Sequence, residues 1–317
     1  MKKILLACLA LSFQAHAETV FVTLEKDNAL AVVDPIAGKL IKTIAIGQRP
    51  RGITISPDNK HLYVAVSDDN TIQVVDTDTL TVVGQLPSGK DPETFALNPT
   101  GSRLYVSNED DNQVTVVDVA KAKAVKKVPV GVEPEGIAVS PDNKWVVSAS
   151  ETTNMVHWFD SISMSNVHNS LVDPRPRAAS FTDDSQQLWV TSEMAGTLMI
   201  LDAKSKDVIK KIPLEVVGIS KDKVQPVGVV VDKESRWGYV ALGPANRVAV
   251  INAQTFAVEK YLLVGERVWN LAFSPDQKRL YTTNGRSSDI SIIDLENHKV
   301  VKSVKVGRFP WGVAVKP

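Results

Sequence analysis

The chain has 317 residues, with 36 basic and 36 acidic side chains, 44% apolar residues and one cysteine. Charge balance argues against a nucleic-acid binder held by phosphate contacts. A single cysteine excludes a disulfide framework, a cysteine-rich zinc site and a thiolate-held iron–sulfur cluster.

In chain order, the first element is an address. Met1-Lys2-Lys3, the apolar run 4–13 and the small-x-small Ala15-His16-Ala17 predict a secretory signal peptide over residues 1–17, cleaved before Glu18. The run is too short to span a bilayer, and no later segment is long and apolar enough. The expectation is a soluble periplasmic protein. Cys8 lies inside the peptide, and Leu5-Leu6-Ala7-Cys8 leaves lipidation as an alternative to soluble export. The mature part, 18–317, has no cysteine and must be held together by packing.

The mature part is a repeat. An aspartate closing each "VVD"-like strand falls at Asp34, Asp76, Asp118, Asp160, Asp202, Asn252 and Asp294, with spacings of 42, 42, 42, 42, 50 and 42. A second series, Gly52, Thr94, Gly136, Ala178, Gly228, Asn270 and Gly312, has the same spacings. Each unit holds short β-branched runs bounded by turn formers, such as 62–66, 71–76 and 81–86, with Ser-Pro-Asp-Asn turns before the second strand. No helical periodicity is present. Four short strands in a unit of this length make a propeller blade, strands A to D from the axis outward; a β-sandwich does not explain seven copies. The chain therefore predicts an all-β, seven-bladed β-propeller. It starts with B, C and D strands (19–23, 30–34, 40–46) and ends on an A strand (312–315), so the C-terminal A strand closes the ring. Deleting 310–317 is expected to destabilise it strongly.

Leu62-Tyr63-Val64-Ala65, Leu104-Tyr105-Val106-Ser107-Asn108, Leu280-Tyr281-Thr282-Thr283-Asn284, the run Gly136–Asp142 and the recurrent Val-Gly before each A strand resemble the YVTN family of β-propeller repeats over essentially the whole mature chain. Export signal, length and layout resemble, more narrowly, the bacterial β-propeller proteins associated with PQQ-dependent alcohol catabolism. That resemblance implies quinoprotein dehydrogenases, a cytochrome c or a solute-binding protein as partners.

In a propeller the D–A and B–C loops open on one face around the axis. The residue before each A-strand start gives the ring Arg51, Glu93, Glu135, Arg177, Val227, Trp269 and Trp311; two residues earlier it reads Arg49, Asp91, Glu133, Arg175, Gln225, Arg267 and Phe309. The candidate binding residues are Arg49, Arg51, Glu93, Glu135, Arg175, Arg177, Arg267, Trp269 and Trp311. Basic arcs that include Arg308, with an aromatic wall of Trp269, Phe309 and Trp311, suit a planar anion or a partner's surface. PQQ, a planar tricarboxylate, fits such a cradle. The alternative is a ring of opposite charges that neutralise each other. Reversing Arg51 and Arg177 to glutamate is expected to abolish binding and spare the fold.

Three further features break the repeat. Eight extra residues near 214–224 lie on the mouth face. Blade four has a bulky C strand (155–160) and a poor D strand (161–168), carrying His157 and His168. The acidic loops 67–70 and 108–112 could bind calcium but lack a ligand ladder.

Serine-nucleophile motifs, phosphate loops and metal ladders are absent, which points to a binding or accessory protein, monomeric by default, rather than an enzyme. One alternative is a lactonase-type propeller hydrolase, with Glu135 and Arg177 as base and oxyanion partner. A second is a redox propeller resembling the haem-d1 domain of cytochrome cd1, although no Cys-x-x-Cys-His is present and no histidine or methionine is expected at the mouth.

Overall fold

The computed structural model describes residues 18–317. The expected signal peptide over 1–17, with Cys8, lies outside the described residues. The chain forms seven four-stranded antiparallel sheets. Blade 2 is representative: Pro50–Ile55, His61–Val66, Thr71–Asp76 and Thr81–Pro87 pair in sequence, each with the next. Blade 1 is composite. Pro310–Lys316 pairs with Thr19–Leu24, followed outward by Ala29–Asp34 and Lys39–Ala45. The chain is a seven-bladed β-propeller.

The two repeat series have separate causes. The aspartate that ends each C strand caps the C–D turn: its Oδ1 accepts the N–H three residues on, from Ala37 onto Asp34, Thr79 onto Asp76, and likewise onto Asp118, Asp160, Asp202 and Asp294. Asn252 does the same with its amide oxygen, so the one departure from aspartate changes nothing in the turn. The second series sits where neighbouring A strands touch near the axis. A Cβ at Gly136 would lie 2.5 Å from the Arg177 carbonyl, and one at Gly312 2.4 Å from that of Arg51. At two of the three positions that are not glycine, Thr94 and Asn270 donate to the equivalent carbonyls of Glu135 and Trp311; the third is Ala178, with the smallest side chain.

Apolar residues are packed between adjacent blades. Trp158 of blade 4 meets Phe181, Leu188 and Leu201 of blade 5, and Trp189 of blade 5 packs with Val240 and Ile251 of blade 6. The outer D strands are exposed and carry lysines, as at Lys39 and Lys42, which blunts their free edges.

The irregular segments are more ordered than the repeat alone implies. The extra residues between Val208–Pro213 and Val229–Val231 are anchored by buried Leu214 and Val224 and contain a 3-10 turn, Lys221–Lys223; they leave blade 6 with an inner strand of three residues. A second 3-10 turn spans Ser67–Asp69. Blade 4 has a complete D strand, Asn166–Leu171, because 161–164 form the C–D turn capped by Asp160. His157 is buried, accepts the Gly131 N–H at its Nε2 and faces Asn169 Oδ1 through Nδ1, so both ring nitrogens are used. His168 is in register with Trp158, one position away from His157, and the two imidazoles point to opposite faces. No helix among the described residues is long and apolar enough to cross a membrane.

Candidate functional site

The mouth is built by one geometric unit repeated around the axis. Arg51, Glu93, Glu135, Arg177, Trp269 and Trp311 are each the second residue of an inner strand. Two positions earlier, Arg49, Asp91, Glu133, Arg175, Arg267 and Phe309 all have left-handed backbone, with φ between 44° and 61°. Such backbone costs energy for a residue with a side chain and persists only where its surroundings hold it. Here an asparagine from the preceding B–C loop accepts the N–H: Asn28 from Arg49, Asn70 from Asp91, Asn112 from Glu133, Asn154 from Arg175 and Asn246 from Arg267. The carbonyl in turn accepts the N–H of the first residue after the B strand, as from Glu109 onto Asp91 and Glu151 onto Glu133. The acidic loops serve this scaffold. Asp69 and Asp111 accept the N–H groups of Gln48 and Lys90.

The repeat position that follows the B strand forms a third ring, off the inner strands: Glu25, Ser67, Glu109, Glu151, Glu193, Gly243 and Gly285, directly after the strand in six blades and one residue later, past Leu242, in blade 6. It follows the repeat with the same register, and in blades 1, 3, 4 and 5 it adds a carboxylate. The three rings interlock. Arg49 binds Asp91 at 2.7 Å and Glu93 at 3.1 Å, and Arg51 shares Glu93. Arg177 binds Glu135 at 2.6 Å and also Glu151, while Arg175 reaches Glu151 at 2.8 Å and Glu193 at 3.1 Å. Arg267 donates to Gln225 Oε1 at 2.7 Å and contacts Glu193 at 3.3 Å. Every arginine of the two predicted rings is thus paired.

The aromatic wall is formed only in part: Trp269 and Trp311 line one axial cavity together, and Phe309 is not among its lining residues. Trp311 is buried with Arg51 over its ring at 5.6 Å, and Trp269 lies under Arg267 at 4.2 Å; Phe309 is partly exposed on the rim. Gly285 makes room for Trp269, since a Cβ there would lie 2.6 Å from the indole nitrogen. Arg308 is exposed and bound to Asp27, away from the cavity.

Of the predicted site residues, Arg49, Arg51, Glu135, Arg175, Arg177, Arg267 and Trp269 line one mouth cavity of about 490 Å³, together with Glu109, Glu193, Met194 and Gln225. Glu93 is fully buried behind Arg49 and Arg51. Trp311 lines a narrower cavity of about 160 Å³ along the axis, which shares Glu135, Arg177 and Trp269 with the mouth. Met194, 74% exposed, places a methionine at the mouth after all; it follows Glu193 in the third ring, outside the positions read from the inner strands.

Burial acts first on the protonation of the mouth carboxyls, and neighbouring carboxylates and guanidiniums then adjust it. Burial, then the proximity of Glu93, Asp91 and Glu151, push Glu109 up to about 7. Burial, helped by a hydrogen bond to Glu151 and opposed by Arg177, holds Glu135 well above the usual carboxylate range. Burial works against ionised Glu151 too, but the Glu135 hydrogen bond and Arg177 and Arg175 bring it below that range. Asp91, Glu93 and Glu109 place ligand oxygens within 4.8 Å of one another, though Asp91 and Glu93 are already engaged by Arg49 and Arg51.

A family model described as lactonase, seven-bladed β-propeller, matches residues 12–129, under half of the chain. No curated protein matches. Among solved structures, the hydrazine synthase of Kuenenia stuttgartiensis is 22% identical, with 84% of this chain and 89% of that one covered at a TM-score of 0.75. A Bacteroides fragilis protein provisionally named 6-phosphogluconolactonase is 16% identical, covering 96% and 99% at a TM-score of 0.79. A dihydro-haem d1 dehydrogenase is 14% identical, covering 93% and 74% at a TM-score of 0.69. At such identities the likeness establishes the propeller fold, shared by chains of different chemistry.

Proposed function

We propose that the mouth is a hydrolytic site of lactonase type. The observation that carries this is a carboxyl, Glu109, that titrates near neutrality in a cavity it shares with Arg177 and Arg49. A general base works best when its pKa lies near the working pH. In the proposed reaction Glu109, ionised, takes a proton from water as the water oxygen attacks the acyl carbon. A mouth arginine balances the negative tetrahedral oxygen. The ring C–O bond then breaks, and the proton passes to the departing alkoxide. Two likenesses support the reading. The lactonase family model spans 12–129 and so contains Asp91, Glu93 and Glu109, and the fold is that of the Bacteroides fragilis protein named for a lactonase. Glu109 replaces Glu135 as the base because Glu135 is 4% exposed and bound to Arg177.

The test is acid release from a lactone by the 18–317 protein, corrected for spontaneous hydrolysis. The rate is expected to rise with pH through about 7, as Glu109 ionises, and E109Q to lower kcat about 100-fold. A flat pH profile with full E109Q activity sinks the assignment of the base. Absence of turnover leaves a binding site only. That is all that an accessory role beside a PQQ-dependent dehydrogenase or its cytochrome requires, and capture of such a protein from periplasm would then carry the argument. A haem-d1 role is checked by an absorption shift on adding haem, lost when Met194 is replaced.

A further inference from the structure

Resting on the lactonase reading, we propose that the substrate is an uncharged, polyhydroxylated ring, a sugar lactone without phosphate or carboxylate. The charge count at the mouth carries this. Five guanidiniums (Arg49, Arg51, Arg175, Arg177, Arg267) face a larger set of carboxylates drawn from all three rings, and each guanidinium already holds one within ion-pair distance. A phosphate entering here can reach spare guanidinium N–H groups, as on Arg175, whose side chain is 45% exposed, but every cation it meets is already offset by a carboxylate. To hold an arginine's charge for itself it must displace a carboxylate such as Glu93, Glu151 or Glu193, which are 0, 3 and 6% exposed, and otherwise it sits in the repulsion of the surplus carboxylates. A buried carboxylate stripped of its partner is strongly unfavourable.

A hydroxyl has no such obstacle. It donates to a carboxylate oxygen and accepts from a guanidinium N–H at once, without breaking the pair between them. The mouth sets such acceptors and donors side by side, and adds the amide of Gln225, whose Oε1 accepts from Arg267 and whose Nε2 donates to the Asp222 carbonyl. Its volume of about 490 Å³ lies in the range of small-ligand sites and suits a single sugar ring. The excess of carboxylates also favours turnover, because ring opening creates an anionic acid that the same surplus repels.

The experiment compares δ-gluconolactone with its 6-phosphate in the hydrolysis assay. The neutral lactone is expected to be favoured at least about 10-fold in kcat/KM, with a KM that hardly changes between low and high salt. Preference for the phosphorylated lactone overturns the substrate class while leaving the lactonase reading standing. If neither lactone is hydrolysed, the lactonase reading falls, and calorimetry with glucose against glucose 6-phosphate decides the class of ligand. Binding of glucose alone supports an uncharged polyol. Binding of the phosphate ester alone, or of neither sugar, overturns it.

Discussion

Glu109 and Arg177 show how differently two mouth residues respond to substitution. The folded state holds the Glu109 proton up to about 7, against 4.5 for an ordinary glutamate. The folded state therefore binds more protons than the unfolded one between these values, so this group's contribution to stability is full below about 4.5 and is lost as pH rises through 7. E109Q is expected to raise the melting temperature at pH 8 but not at pH 4.5. The gain is on the order of 1 kcal/mol once screening of a half-exposed group is allowed for; an equal shift at both pH values would refute it. Arg177 is the opposite case. Its side chain is 10% exposed and binds Glu135 and Glu151. The expectation that Arg51 and Arg177 can both be reversed to glutamate without harm to the fold does not survive this geometry. Reversal leaves several buried carboxylates facing one another, and a loss of about 3–5 kcal/mol is expected for Arg177→Glu alone, visible as a lower urea midpoint. The inner-strand residues were legible in the sequence because the repeat places them. Glu109, Glu151 and Glu193 keep the same 42-residue step, yet each begins a polar B–C loop and reads like solvated charge. Only their convergence on one axis distinguishes them.

Between elements, the decisive contacts are those that join one strand to the next blade. Thr23 Oγ1 donates to the Arg51 carbonyl at 2.8 Å and accepts the Gly312 N–H at 2.8 Å, fully buried. It links the closing strand, blade 1 and blade 2 through one hydroxyl. Thr23→Val keeps the shape and strands both partners, with an expected cost of about 2 kcal/mol, measurable by chemical denaturation. A neutral result would mean the strands are held by packing alone. Gly238 is a second joint: a Cβ there would lie 2.2 Å from Trp189 Cζ3. Gly238→Ala is expected to cost about 1–3 kcal/mol through overpacking. Most strand positions were readable to within a residue or two because alternation and turn residues repeat, but the D strand of blade 4, expected at 161–168, lies at Asn166–Leu171, where a serine-rich turn hides its start. The three-residue inner strand of blade 6 was not readable either, since the eight extra residues carry no pattern that says where pairing resumes.

At the scale of the molecule, stability rests on apolar packing between blades and on ring closure, not on cross-links. Removing 310–317 takes away the inner strand of blade 1 with buried Trp311, Val313 and Ala314. The truncated protein is expected to lose cooperative melting altogether; retention of the parent transition would show that closure is dispensable. The seven-fold architecture was legible in full because two independent residue series share one spacing. The mouth was legible only in part. Position in the repeat says which side chains meet, but not that every mouth guanidinium is taken by a carboxylate and that a surplus of carboxylates remains.

The composite blade also has a consequence for the order of events in time. Thr19–Leu24 pairs locally with Ala29–Asp34, but its inner edge finds a partner only in Pro310–Lys316, almost the whole chain away. Until Pro310–Lys316 is made, the first hairpin waits with an open edge, and the loop to be closed spans nearly all of the described residues. A second molecule in the same state presents the same strand and the same vacancy. Crowded refolding should therefore link chains tail to head, whereas dilute refolding gives single rings.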